Sequence, residues 1–98
     1  MLERELEAWA KKRVSRRGAL LLKWVSPGTA GVPDRILIGR NGVRFLEFKQ
    51  AGKQATALQA AQMRRITEAG GICYVIDNKH AFDEVLAAVS ERRDNAPV

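Results

Sequence analysis

The stretch PDRILIGRNGVRFLEFK, residues 33–49, decides the fold, because two runs rich in branched and aromatic residues flank a short polar turn. We predict strands at 34–38 and 43–49, joined through Gly39-Arg40-Asn41-Gly42. Asn-Gly is the strongest short signal for a two-residue hairpin turn. The stretch therefore predicts an antiparallel hairpin in which Arg40 lies opposite Val43.

This hairpin register places charged side chains on one face of the sheet. It sets Ile36 opposite Glu47 and Asp34 opposite Lys49, and side chains alternate between faces along each strand. Asp34, Glu47 and Lys49 should therefore emerge together. Two carboxylates and an ammonium are costly to bury without a cation or a charge network, and Mg²⁺ or Mn²⁺ suits such hard oxygen ligands. The alternative is a solvated Asp34–Lys49 surface pair.

Outside the hairpin, apolar residues at helical spacing predict helices at 2–16 and 81–92. A third helix should open with a capping box formed by Thr56 and Gln59 and end at Gly70-Gly71. Further strands are expected at 19–25 and at 72–76, the second buried on both faces, followed by a frayed tail at 94–98. The order α-β-β-β-α-β-α predicts an α/β fold, with a mixed β-sheet flanked by helices.

Size and charge limit what this chain can do. With 98 residues, 46% of them hydrophobic, it is expected to form a single domain over 1–98. A net charge of +6 and a pI near 10.1 favour polyanionic partners, nucleic acid before an acidic membrane surface. No run approaches the roughly 20 apolar residues of a membrane span, and the first ten residues do not form a signal peptide. We expect a cytoplasmic protein of a bacterial host cell, with a phage genome as the alternative source.

Short motifs in the hairpin and before it carry a resemblance to a known family. Pro33-Asp34, twelve residues, and then Glu47-Phe48-Lys49 resembles the PD-(D/E)xK nuclease signature. The stretches 23–28 (KWVSPG) and 31–35 (GVPDR) look like the phage-type VRR-NUC (virus-type replication-repair nuclease) domain. Gln59 and Gly70-Gly71 continue the resemblance through most of the chain.

The resemblance implies a restriction-endonuclease-like fold and metal-dependent cleavage of DNA. It implies that metal is bound by Asp34, by Glu47, by the backbone carbonyl of Phe48 and by a glutamate of the first helix. Glu3 and Glu7 share one helix face, and the motif's wording favours Glu3, although either could be an acidic residue that complements the helix dipole. Gln59 is expected to face the site as well as to cap its helix.

The expected roles of the remaining charged residues follow from the same chemistry. Lys49 is placed to orient the attacking water and to stabilise charge in the transition state. Phosphate contacts are expected from five basic residues, Arg13, Arg16, Arg17, Lys23 and Arg35. Those at the C-terminal end of the first helix could instead complement the helix dipole.

The resemblance also implies a substrate and an assembly. Stand-alone members of the family are expected to be homodimers that cut branched DNA, such as four-way (Holliday) junctions. Candidate interface residues lie around Trp9 on the first helix, in the loop after Trp24, and around Phe82 and Val89 on the last helix, although packing in the core is the commoner fate of each. The alternative function is a basic DNA-binding domain of the same fold that is non-catalytic or cuts only with a partner protein.

Overall fold

Four strands form one mixed sheet with three helices around it, and the computed structural model describes residues 1–91. The elements are α1 (Glu3–Arg16), β1 (Leu20–Lys23), β2 (Arg35–Gly39), β3 (Gly42–Phe48), α2 (Ala57–Glu68), β4 (Cys73–Ile76) and α3 (Lys79–Ser90). The strands lie in the order β1-β2-β3-β4, with the first two pairs antiparallel and β3 parallel to β4. The predicted fold class and element order are confirmed.

The hydrophobic core lies on one face of this sheet, under α1 and α3. Leu37, Leu46 and Phe48 point to that face and are fully buried. They pack in one cluster with residues such as Leu6 of α1 and Phe82 of α3. Burying each such side chain contributes about 1.5–3 kcal/mol. This packing holds the backbone of β2 and β3 on a rigid support.

The opposite face of the sheet is only half covered. Ile66 of α2 lies against Phe45 of β3, and the two meet at Gly71, where an added Cβ would lie 3.2 Å from the Phe45 ring. The β1–β2 side of this face carries no helix within residues 1–91. Its side chains Leu20 and Leu22 are 55% and 46% exposed.

The predicted register of the β2–β3 hairpin was wrong by two residues. Ile36 lies opposite Phe45, and Gly39 opposite Gly42, so the turn is Arg40-Asn41. The cause is α3: Asn41 N–H donates to the Val89 carbonyl at 2.9 Å, and a Cβ on Gly39 would collide with that carbonyl. A shift of two residues keeps every side chain on its face. Asp34, Glu47 and Lys49 therefore still share one face, although the predicted register was wrong.

Strand β4 also differs from the expectation of burial on both faces. Tyr74 and Val75 are 40% and 38% exposed, because β4 is the last strand at one edge of the sheet. The predicted α2 start is confirmed, since the Thr56 hydroxyl accepts from Gln59 N–H and forms a capping box. Helix α3 begins earlier than predicted, with Asn78 as its N-cap, and ends at Ser90. The predicted tail at 94–98 lies outside the described residues.

None of the helices within residues 1–91 is long and apolar enough to cross a membrane.

Candidate active site

Three carboxylates meet at the end of the sheet where β2 begins and β3 ends. Asp34 directly precedes β2, Glu47 lies in β3, and Glu3 is the first residue of α1. One oxygen from each lies within 4.8 Å of the others. Arg35 pairs with Leu46, so continuing the ladder by one residue brings Asp34 beside Glu47. Glu47 is only 5% exposed, whereas Glu3 is exposed, so the cluster opens from a buried base toward solvent.

The N-terminus of α1 determines which glutamate joins this cluster. The Glu5 carboxylate accepts from Leu2 N–H at 2.9 Å and so stabilises the first turn of the helix. One turn after Glu3, Glu7 accepts from the Arg35 guanidinium at 2.7 Å. The structure therefore brings Glu3 to Asp34 and Glu47, and holds Glu7 in an ion pair beside them.

Glu47 has two polar partners of its own. Gln59 Nε2 donates to Glu47 Oε2 at 3.2 Å, while Lys49 Nζ lies 3.9 Å from the same oxygen. The other amide atom of Gln59, Oε1, accepts from Thr56 N–H at 2.9 Å. One glutamine thus caps α2 and also reaches the carboxylate, as the sequence suggested it could.

Backbone hydrogen bonds hold Asp34 in place. Phe48 N–H donates to Asp34 Oδ1 at 3.4 Å, and Trp24 N–H donates to the Asp34 carbonyl at 2.9 Å. The Phe48 side chain is fully buried in the core on the other face. The backbone of Phe48, between Glu47 and Lys49, is therefore anchored. Binding of a metal by the Phe48 carbonyl remains a prediction.

The electrostatics of the cluster favour protonation. Burial raises the pKa of Asp34 to about 6, helped by the charges of Glu7 and Glu3 and opposed by the Phe48 N–H and Arg35. Burial likewise raises the pKa of Glu47 to about 7, helped by Asp34 and opposed by Lys49. Charged carboxylates here repel one another, so a bound cation would stabilise the ionised form.

These pKa values predict how stability depends on pH. The pKa of each of these two carboxyl groups is higher in the folded protein than its unfolded value of about 4. At pH values between the unfolded and the folded pKa, the native state therefore binds more protons than the unfolded state. Their contribution to stability is complete below pH 4 and is lost as the pH rises to about 7. At pH 8 in EDTA, Asp34→Asn should therefore raise the melting temperature by a few degrees, because its amide oxygen can still accept from Phe48 N–H.

Adding Mn²⁺ at pH 8 should raise the melting temperature of the wild type and have a much smaller effect on Asp34→Asn. The matched control is Glu84→Gln, which removes one carboxylate that is 70% exposed and pairs with His80. Thermal unfolding followed by circular dichroism measures both shifts. Equal stabilisation of all three proteins by Mn²⁺ would contradict cation binding at Asp34.

The basic residues expected to contact DNA are scattered rather than gathered at the cluster. Arg13 is held by Asp83 at 2.8 Å, and Arg35 is held by Glu7. Arg16 and Arg17 are exposed at the far end of α1, about 20 Å along the helix from Glu3, and Lys23 is exposed at the end of β1. The sequence did not indicate the two ion pairs, since their partners are 70 and 28 residues away.

A mixed sheet in this order, flanked by three helices within residues 1–91, defines a restriction-endonuclease-like fold. A relative described as "Putative nuclease p44", from Acyrthosiphon pisum secondary endosymbiont phage 1, is 33% identical over 89 residues. The match covers 90% of this chain and 95% of the relative. A scan against protein-family models finds no match.

Two solved structures have the same fold. One, described as "VRR_NUC domain", superposes with a TM-score of 0.76 at 24% identity, covering 86% of this chain and 92% of the other. A second, "VRR_NUC domain protein", has a TM-score of 0.67 at 17% identity, with 93% and 97% covered. This chain belongs to the VRR-NUC nuclease family.

Proposed function

We propose that this nuclease is a metal-dependent endodeoxyribonuclease that hydrolyses phosphodiester bonds of branched DNA at the carboxylate cluster. The observation that carries the proposal is the meeting of Glu3, Asp34 and Glu47, whose oxygens lie within 4.8 Å of one another. A nuclease meets a polyanion, and a protein that only binds DNA gains nothing from carboxylates facing the phosphates. Their presence is explained if a cation lies between them and the substrate.

The chemistry of the donor set fits a hard divalent cation. Asp34, Glu47 and Glu3 offer carboxylate oxygens, which are the ligands that Mg²⁺ and Mn²⁺ prefer. The raised pKa values of Asp34 and Glu47 support the fit, because burial and, to a smaller extent, mutual repulsion disfavour the charged carboxylates, and a cation would offset both effects. Such a cation would neutralise charge on the phosphodiester and promote attack by water.

The neighbouring side chains have separate tasks in this proposal. Among the ion pairs within residues 1–91, that of Lys49 with Glu47 is the one that places an ammonium next to a carboxylate of the cluster. The Lys49 side chain is 17% exposed. From there it can hold the attacking water and stabilise the extra negative charge of the transition state. Gln59 donates to Glu47 Oε2 and so orients that carboxylate.

Symmetric cutting of a four-way junction takes two active sites, so we propose that the working unit is a homodimer. Phe82 and Val89, expected at its interface, are fully buried in the core instead, and Trp9 packs on Phe82. We assign the interface to the open half of the sheet face, where Leu20 and Leu22 of the β1 edge are exposed. Exposed apolar side chains on an edge strand are typical of interfaces, and a second copy related by a two-fold axis would cover them.

Analytical ultracentrifugation at micromolar concentration should then report twice the 10.9 kDa chain mass. Leu22→Asp should shift the protein to monomer, because a charge would be buried against the second copy. The control, Tyr74→Asp, places the same charge on the other face of the opposite edge strand, where Tyr74 is 40% exposed. A monomeric wild type, or dissociation of both variants alike, would contradict this interface.

Cleavage by the purified protein tests the function itself. Labelled single strands, duplexes, forks and four-way junctions should be incubated with Mg²⁺, with Mn²⁺ and with EDTA. We expect cutting only with a divalent cation, fastest on junctions and in paired positions on opposing strands. Activity in EDTA would refute metal dependence, equal rates on all substrates would refute selectivity for branched DNA, and binding without cutting would favour the partner-dependent alternative.

A further inference from the structure

A cavity of about 270 Å³ lies between the loop after β1 and helix α2. The Trp24 ring forms part of its wall, and the side chains of Ser26, Thr29, Gln62 and Arg65 line it. Ligand sites for drug-sized molecules start at about 300 Å³, so this cavity has the size of a single planar ring system. Nothing in the proposed chemistry uses it.

The cavity is close to the proposed point of cleavage. Trp24 N–H donates to the Asp34 carbonyl, and the Trp24 ring lies 5.2 Å from that of Phe45. Phe45 precedes Glu47 by two positions on the same face, about 7 Å along the strand. A DNA strand advances about 3.4 Å per nucleotide in a duplex, so the cavity lies within about two or three nucleotides of the cut.

Helix α2 connects the same two places. Gln59 reaches Glu47, and Gln62 lines the cavity one turn further along the helix. Arg65 follows Gln59 by six residues, which is about 9 Å along the axis. Arg65 Nη1 donates to Gln62 Oε1 at 2.9 Å, and this bond orients its guanidinium beside the opening.

The cavity walls are held by close packing. Gly31, with φ +87°, lies so near α2 that an added Cβ would be 2.7 Å from Leu58 Cγ and 3.1 Å from the Leu58 carbonyl. The loop after β1 therefore rests directly on the helix. Phe45 supports the Trp24 ring from below at an interplanar angle of 45°. An aromatic surface held in this way can bind a planar ligand at little entropic cost.

We propose that this cavity receives one unstacked DNA base within about three nucleotides of the scissile phosphodiester, with the base against Trp24 and a neighbouring phosphate at Arg65. The proposal rests on the proposed function and adds how that site selects branched DNA. Bases stack on tryptophan whatever their identity, and the hydroxyls of Ser26 and Thr29 can hydrogen-bond to base edges. A base is free to leave its stack at a branch point more readily than within a duplex. The occupant is a nucleotide because Trp24 connects the cavity to the backbone of Asp34, and Arg65 in the cavity wall can pair with a phosphate.

Binding can be tested without cleavage. In Trp9→Phe, which keeps an aromatic ring against Phe82, Trp24 is the sole tryptophan. Titrating this variant in EDTA with a junction should quench the Trp24 fluorescence at saturation, and an intact duplex should quench it far less. Unchanged fluorescence with bound junction would overturn the proposal, even if the protein proved to cut DNA.

Cleavage supplies the second test, with abasic sites placed singly within three nucleotides of the cut. Removing a stacked base at one position should reduce kcat/KM by about 5- to 150-fold in the wild type. Trp24→Ala should show a similar loss on the intact junction and no added loss from that abasic site, whereas Trp24→Phe should retain most of the effect. Equal abasic penalties in wild type and Trp24→Ala would overturn the proposal. The proposal would also be overturned if the one effect of Trp24→Ala were to dissociate the dimer, because a second copy of the chain would then occupy the cavity.

Discussion

Asp34→Asn is expected to lose cleavage by at least about three orders of magnitude while binding DNA as tightly as the wild type or more tightly. Asp34 has a raised pKa of about 6 and shares the cluster with Glu3 and Glu47. The amide keeps the size and the acceptor for Phe48 N–H, at 3.4 Å in the wild type, but cannot serve as an anionic ligand. Removing one negative charge also lowers repulsion of the phosphates.

Single-turnover cleavage of a junction, with fluorescence anisotropy in EDTA for binding, measures the two effects separately. The matched control is Asp83→Asn on α3, which removes a carboxylate that pairs with Arg13 away from the cluster. Cleavage at the wild-type rate by Asp34→Asn in Mg²⁺ would remove Asp34 from the active site. Loss of DNA binding together with cleavage would mean that the substitution damages the fold.

Lys49→Ala is expected to slow the chemical step by about 100-fold or more, the usual cost of removing a group that stabilises transition-state charge. Lys49 Nζ lies 3.9 Å from Glu47 Oε2, and its charge lowers the pKa of Glu47. Without it the pKa of Glu47 in the metal-free protein should rise further, so at subsaturating Mg²⁺, where the cation competes with that proton, the rising limb of the pH–rate profile should move to higher pH. Stabilisation by Mn²⁺ should persist at pH values above the new pKa.

The control for Lys49→Ala is Lys53→Ala, which removes an exposed ammonium from the connection before α2. Both variants lower the net charge equally, so any difference in the chemical step reflects the position of Lys49 and not the overall attraction of DNA. Single-turnover rates across pH 6 to 9 compare them. If Lys49→Ala left both the cleavage rate and the pH–rate profile unchanged, Lys49 would be an ion-pair partner of Glu47 with no role in the chemical step.

The Asp34 and Lys49 variants and the Trp24 variants test different parts of the molecule. Asp34 and Lys49 report on the chemistry at the cluster, whereas Trp24 reports on the substrate beside it. A protein that fails both chemical predictions but still shows quenching of Trp24 by junctions would be a DNA-binding member of the fold. A protein that cuts junctions without quenching would have a nuclease site and an unrelated cavity.

Local sequence was sufficient for the order of elements and for the shared face of Asp34, Glu47 and Lys49. Strand alternation has a period of two, so the face follows from the numbering even when the register slips by two residues, as it did at Arg40-Asn41. The capping box of Thr56 and Gln59 likewise depends on neighbours three residues apart. These features are governed by short-range geometry, which a sequence displays directly.

Contacts between distant segments decided the rest. The Val89 carbonyl packs on Gly39 and Asn41, and this contact sets the position of the hairpin turn. The docking of α1 brings Glu3 into the cluster, whereas Glu7 forms an ion pair with Arg35. The partners in these contacts are separated by roughly 30 to 50 residues, and helix periodicity treats Glu3 and Glu7 alike. The cavity at Trp24 exists only because the loop after β1 rests on α2. The sequence by itself thus determined which residues share a face, and the tertiary structure alone decided which of them meet, because that depends on how separate elements pack.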